Sequence, residues 1–131
     1  MPPERGRLQG ARRGAWPALT YLNASTAKVA FDGPHALGAA AFAGFPALEE
    51  LYLGYTRLGV AGAALLASRR WARLWALHLH GCDLGDAGRA ALARGAWKEL
   101  KHLDLCENDL GAPSTLEGVR RWAPALEEVQ A

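Results

Sequence analysis

LEELYLGYTRL (residues 48–58), LWALHLHGCDL (74–84) and LKHLDLCENDL (100–110) are one phrase written three times. Each puts Leu at its positions 1, 4, 6 and 11, with Thr56, Cys82 or Asn108 at position 9. The phrases open at Leu48, Leu74 and Leu100, so the interval is 26 residues both times. Side chains of a strand alternate between its two faces. Leu at slots 4 and 6 therefore points inward, and slots 3, 5 and 7 point outward. A repeat of this length is one strand with a helical return, and it cannot bury its leucines alone. Stacking makes the core continuous, each fully buried Leu contributing roughly 1.5–3 kcal/mol.

The same frame runs outward from these three phrases. Upstream, LTYLNASTAKV sets Leu19, Leu22, Ala24, Ala27 and Val29 in the motif slots. Downstream, LEEVQA sets Leu126, Val129 and Ala131 in slots 1, 4 and 6. Three residues before each first Leu stands an aromatic: Trp16, Phe45, Trp71 and Trp97. In the last repeat Ala123 takes that slot and Trp122 sits one place earlier. These rings are expected to pack on one another beneath the turn that feeds each strand. Slot 9 is expected to turn inward, where Thr, Cys or Asn can bond free backbone groups.

Gly59, Gly85 and Gly111 each follow the final Leu of a phrase. AGAALLASRR (61–70), AGRAALARGA (87–96) and the less similar APSTLEGVRR (112–121) then predict short helices rich in small residues. Asp86 near a helix start and Arg69, Arg70, Arg94, Arg120 and Arg121 near helix ends suit the helix dipole. In FDGPHALGAAAFAGF (31–45), Gly33-Pro34 predicts a break before a helix from about His35.

LxxLxLxx(N/C/T)xLG followed by an Ala-Ala-Leu helix resembles the ribonuclease-inhibitor-like leucine-rich repeats. LGDAGRAALA (84–93) is similar to the GALA type of repeat in bacterial effectors and to repeats of algal and bacterial proteins. The resemblance implies an α/β fold, a right-handed β-α superhelical solenoid with a parallel concave sheet and convex helices. Four to five repeats would cover residues 16–131, preceded by a basic, flexible segment at 1–15. Ala24, Ala27 and Pro113 depart from the pattern. The terminal repeats also lack the usual polar caps, so the expectation is a fragment, a truncated product, or a dimer that covers its ends. The family includes inhibitors, GTPase activators, ubiquitin-ligase substrate receptors and immune sensors. The resemblance therefore implies an interaction module, and as an alternative the substrate-receptor fragment of a larger regulator, without naming a partner.

At 131 residues and 50% apolar composition the chain fits one domain with a real core. Its formal net charge of +2 points to neither nucleic acid nor a membrane. Cys82 and Cys106 form no CxxC pair, which favours free thiols in an intracellular, cytoplasmic setting. No apolar run reaches the roughly 18 residues of a spanning helix. The first 15 residues carry four Arg and no apolar h-region, which argues against a secretory signal; Glu4 and the Pro2-Pro3 pair argue against a transit helix. No GxSxG, P-loop, HExxH or GxGxxG occurs, and three Ser and three Lys leave little for hydrolase or transferase chemistry. The expectation is a non-catalytic chain with no cofactor and no small-molecule substrate.

Outward slots are the surface that the repeat does not dictate. Slot 5 reads Asn23, Tyr52, His78, Asp104 and Gln130. Slot 3 reads Tyr21, Glu50, Ala76, His102 and Glu128. Slot 7 reads Ser25, Gly54, His80 and Cys106, with Tyr55 and Glu107 at slot 8. With strands about 4.8 Å apart, these residues should share one face. The expected use is protein binding through Tyr21, Asn23, Glu50, Tyr52, Tyr55, His78, His80, His102, Asp104, Cys106, Glu107 and Glu128. A metal site of His78, His80, Asp104 and Cys106 is a sharper alternative, weakened by the roughly 6.5–7 Å between residues two apart on a strand. A plain solvated face is the third reading. Cys82 reads as buried structure, and Cys106 beside His80 as a possible reactive thiol without an oxyanion donor. The arginines with Arg12 and Arg13 line one edge; pairing with Glu49, Glu50, Glu99, Glu127 and Glu128 is favoured there over an anionic partner.

Overall fold

The computed structural model describes residues 18–25, 46–112 and 115–131. Within them the chain runs β1 (Tyr21–Asn23), β2 (Glu50–Tyr52), α1 (Gly59–Ala67), β3 (Ala76–His78), α2 (Gly85–Leu92), β4 (His102–Asp104), α3 (Leu116–Arg120) and β5 (Glu128–Gln130). The strands form a five-stranded sheet in sequence order, parallel throughout. This is an α/β repeat fold. The basic segment at 1–15, Trp16, Phe45, Ala27, Val29, the Gly33-Pro34 break, the helix from His35 and Pro113 all lie outside the described residues.

The register is the sequence alignment made physical. Slot 4 pairs Leu22, Leu51, Leu77, Leu103 and Val129 from strand to strand. Each strand is only three residues long, but inter-repeat bonding continues past it. Leu53, Tyr55 and Gly59 donate their amides to the carbonyls of His78, His80 and Cys82 at 2.9–3.0 Å. One repeat on, Leu79, Gly81 and Gly85 do the same to Asp104, Cys106 and Asn108. The amides of these two turns therefore find acceptors on the next repeat, as buried backbone must.

The inward leucines at slots 1, 4 and 6 of the three full phrases are almost fully buried in one core. Slot 9 seals its end. Thr56 Oγ1 donates to the Leu53 carbonyl at 2.8 Å, and Cys82 Sγ to the same carbonyl at 3.0 Å. Asn108 Nδ2 donates to the carbonyls of Leu79 (2.8 Å) and Leu105 (3.0 Å), while its Oδ1 accepts from the Cys82 amide at 2.8 Å. The side-chain amide of Asn108 thus ties the turn of its own repeat to the preceding repeat.

The aromatic slot behaves as expected where it is described. Trp71 and Trp97 stack with ring centroids 6.4 Å apart and planes 8° from parallel. Each indole N–H also donates at 2.7 Å to a carbonyl at the end of a helix, Leu66 for Trp71 and Leu92 for Trp97. Those carbonyls belong to the last turns of α1 and α2, beyond the regular helical bonding, and also accept from the Arg69 and Gly95 amides. Ala123 is fully buried and Trp122 half-buried, so the small residue does hold the core slot in the last repeat.

The helices differ from expectation at their ends. α1 ends at Ala67 and α2 at Leu92, so Arg69, Arg70 and Arg94 lie beyond them. α3 is a single five-residue piece, with Thr115 Oγ1 accepting from the Gly118 amide at 3.0 Å as its cap. Asp86 does sit in the first turn of α2, but it also reaches across: its Oδ1 accepts from the Gly111 amide at 2.9 Å and faces Arg89 at 3.1 Å.

Candidate functional site

Alternation sends slots 3 and 5 of every strand to the side opposite the leucines, and the register aligns them laterally. Tyr21, Glu50, Ala76, His102 and Glu128 form one row; Asn23, Tyr52, His78, Asp104 and Gln130 form the next. Ala76 is buried beneath its larger neighbours. The rest are half-buried or exposed, as side chains of an uncovered sheet face are.

Three rings make a ladder along this face. Tyr21 and Tyr52 lie 5.4 Å apart, and Tyr52 stacks on His78 at 4.2 Å with planes 5° apart. Asp104 continues the row: its Oδ2 is 4.0 Å from His78 Nδ1 and 3.4 Å from His80 Nδ1. Its Oδ1 accepts from the Cys106 amide at 2.9 Å, which fixes the carboxylate's orientation. In the other row His102 Nδ1 faces Glu128 Oε2 at 3.2 Å, with the Trp75 ring set edgewise at 5.6 Å. The Tyr52 hydroxyl donates to Glu50 at 3.3 Å. At the rim, Tyr55 packs edge-on against His80 at 4.9 Å and its hydroxyl donates to Glu107.

Electrostatics follow from this packing. Burial against Tyr52 lowers the His78 pKa below its ordinary value, and His80 and His102 add to this while Asp104 opposes it. Partial burial and then Glu50 raise Tyr52. The Glu107 hydrogen bond raises Tyr55. Burial raises the Cys106 thiol, and the nearby Asp104 and Glu107 carboxylates raise it further. A nucleophilic cysteine needs the opposite environment, and these groups weigh against activation of Cys106 by His80. Cys82 is buried and its thiol likewise held above the ordinary value by burial.

The alternative metal set does not assemble. Among the described residues no group of three or more His, Cys, Asp or Glu side chains could hold a metal ion. The depression between His78, His102, Asp104 and Glu128 is about 50 Å³, well below the roughly 300–1,000 Å³ of small-molecule sites. A wider depression of about 380 Å³ lies elsewhere, bordered by Arg70, Trp71, Lys98 and Glu99.

Two of the five acids expected to neutralise the arginine edge are engaged elsewhere. Glu50 and Glu128 are occupied on the sheet face by Tyr52 and His102. Arg120 Nε instead donates to the Leu126 carbonyl at 2.8 Å. Slot 3 turns those two carboxylates away from the helix ends, which the spacing in sequence hid.

Two glycines, Gly54 at slot 7 and Gly81 at slot 8, shape the site. A Cβ on Gly54 would lie 2.3 Å from His80 Nε2, and one on Gly81 would lie 2.5 Å from Tyr55 Cδ1. Small residues at slots 7 and 8, beside large ones in the adjacent repeat, were the available signal.

The geometry is that of a repeat protein with an open, uncovered sheet face. Residues 74–93, from the lead into β3 through α2, match the family model of the leucine-rich repeat. This supports a leucine-rich repeat protein; such motifs are generally protein-interaction modules and typically non-catalytic. No curated protein and no solved structure gives a significant match to the chain. Among the described residues no helix is long and apolar enough to cross a membrane.

Proposed function

We propose that residues 16–131 form a leucine-rich-repeat solenoid of the ribonuclease-inhibitor-like type, four to five repeats long, that captures a protein partner on its concave sheet face and catalyses nothing. The observation that carries this reading is the aligned face itself: aromatic rings, imidazoles and carboxylates on five adjacent strands, where the depression lined by described residues is only about 50 Å³. Tyr52, Tyr55 and Tyr21 supply rigid contact area, and His78, His80, His102, Asp104 and Glu128 supply oriented polar groups. Asn23, Glu50, Cys106 and Glu107 complete the contact surface. The two free cysteines fit an intracellular setting.

The test is Tyr52→Ala combined with His78→Ala. Capture of the partner should be lost while thermal unfolding stays cooperative. Capture that persists in this folded variant would remove the sheet face from the interaction.

A further inference from the structure

We infer that the partner meets this face with an exposed arginine-bearing segment; the inference rests on the reading of the face as a docking surface and names its chemistry. The chain carries 15 Lys and Arg against 13 Asp and Glu. None of the ten Lys and Arg among the described residues stands at slot 3, 5, 7 or 8, whereas Glu50, Asp104, Glu107 and Glu128 do. A chain that is basic as a whole thus presents an acidic face, and complementary charge both steers and selects the partner.

The rings decide between kinds of cation. Tyr21 and Tyr55 are 49% and 53% exposed, and the Tyr52–His78 stack lies between Glu50 and Asp104. A flat, weakly hydrated guanidinium can stack on such rings while its N–H fork meets a carboxylate. An ammonium is compact and strongly hydrated, and gains less from a flat aromatic surface. The carboxylates retain acceptor capacity, since each offers about four lone-pair sites and Glu50 accepts only the Tyr52 hydroxyl among the described hydrogen bonds. The depression lined by His78, His102, Asp104 and Glu128, at about 50 Å³, has room for the head of one side chain.

The test uses the full chain and labelled Gly-Ser peptides carrying either three Arg, three Lys or three Glu. The Arg peptide should bind about tenfold tighter than the Lys peptide, and the Glu peptide should not bind. Glu50→Gln with Glu128→Gln should weaken the Arg peptide about tenfold. Glu99→Gln with Glu117→Gln makes the same charge change away from the face and should leave binding within about twofold. Equal losses in the two pairs would reduce the effect to overall charge and overturn the inference, as would equal affinity for Arg and Lys. If the Arg peptide fails to bind while Tyr52→Ala with His78→Ala still abolishes partner capture, the docking face stands and the arginine chemistry falls.

Discussion

The Tyr55 hydroxyl donates to the Glu107 carboxylate across the whole of the intervening repeat. Gly81 lies beneath the ring and makes the crossing possible. Tyr55, Gly81 and Glu107 occupy the same slot in successive repeats and share a left-handed backbone, with φ of 57°, 63° and 58°. The middle repeat alone has no side chain there.

Gly81→Ala should therefore destabilise the chain by more than its backbone cost of about 1–2 kcal/mol, because the new methyl meets the Tyr55 ring. In a Tyr55→Ala background the penalty should shrink towards the backbone cost alone. Urea denaturation of the four variants in this cycle checks it; equal penalties in both backgrounds would mean the ring does not cover Gly81.

Asn108→Ala removes a buried amide that serves the Cys82 amide and the Leu79 and Leu105 carbonyls. Buried groups left without partners cost about 1–3 kcal/mol each, so a loss of about 3 kcal/mol or more is expected. Thr56→Val, which removes one bond to the Leu53 carbonyl, should cost about 1 kcal/mol. The comparison of denaturation midpoints decides whether slot 9 carries the inter-repeat tie.

Much of this architecture was legible in the spacing. Leu51, Leu77 and Leu103 pair in register because a fixed period can be stacked only one way. Slot 5 placed Tyr52, His78 and Asp104 side by side for the same reason. Less visible was what each side chain does once there. Glu50 and Glu128 looked available to the arginine edge, yet they belong to strands that aim them at Tyr52 and His102. Helix ends were legible only to within a turn: Arg120 lies in the last turn of α3, whereas Arg69 and Arg94 lie two residues past α1 and α2. The carbonyls there are capped by Trp71 and Trp97 from beyond the helix, and a contact of that kind leaves no local mark.

His78 gives the fold a pH dependence whose sign is fixed. Its folded pKa lies below the ordinary 6.5 because burial disfavours the imidazolium. Between that depressed value and 6.5 the unfolded chain holds a proton that the folded chain does not. Stability contributed by the neutral ring is thus present above 6.5 and is lost as pH falls through this window. His78→Phe keeps a ring on Tyr52 and removes the proton site. Acidification from about pH 7.5 to 5.5 should lower the wild-type urea midpoint more than that of His78→Phe; parallel shifts would contradict it.

Cys106 should alkylate slowly near neutral pH, because its thiol is held above its ordinary value by burial and by Asp104 and Glu107. Iodoacetamide should label it no faster than free cysteine, and Asp104→Asn should quicken the reaction by lowering the thiol pKa. Labelling faster than the free thiol would show an activated cysteine after all.

The stacked indoles have an optical consequence. Two indoles buried against each other at 6.4 Å sit in a fixed asymmetric environment, so they contribute a near-ultraviolet circular-dichroism signal that is lost when tertiary packing is lost. Its amplitude therefore reports on whether two neighbouring repeats are seated together, and Trp97→Phe would show how much of it comes from this pair rather than from the other tryptophans.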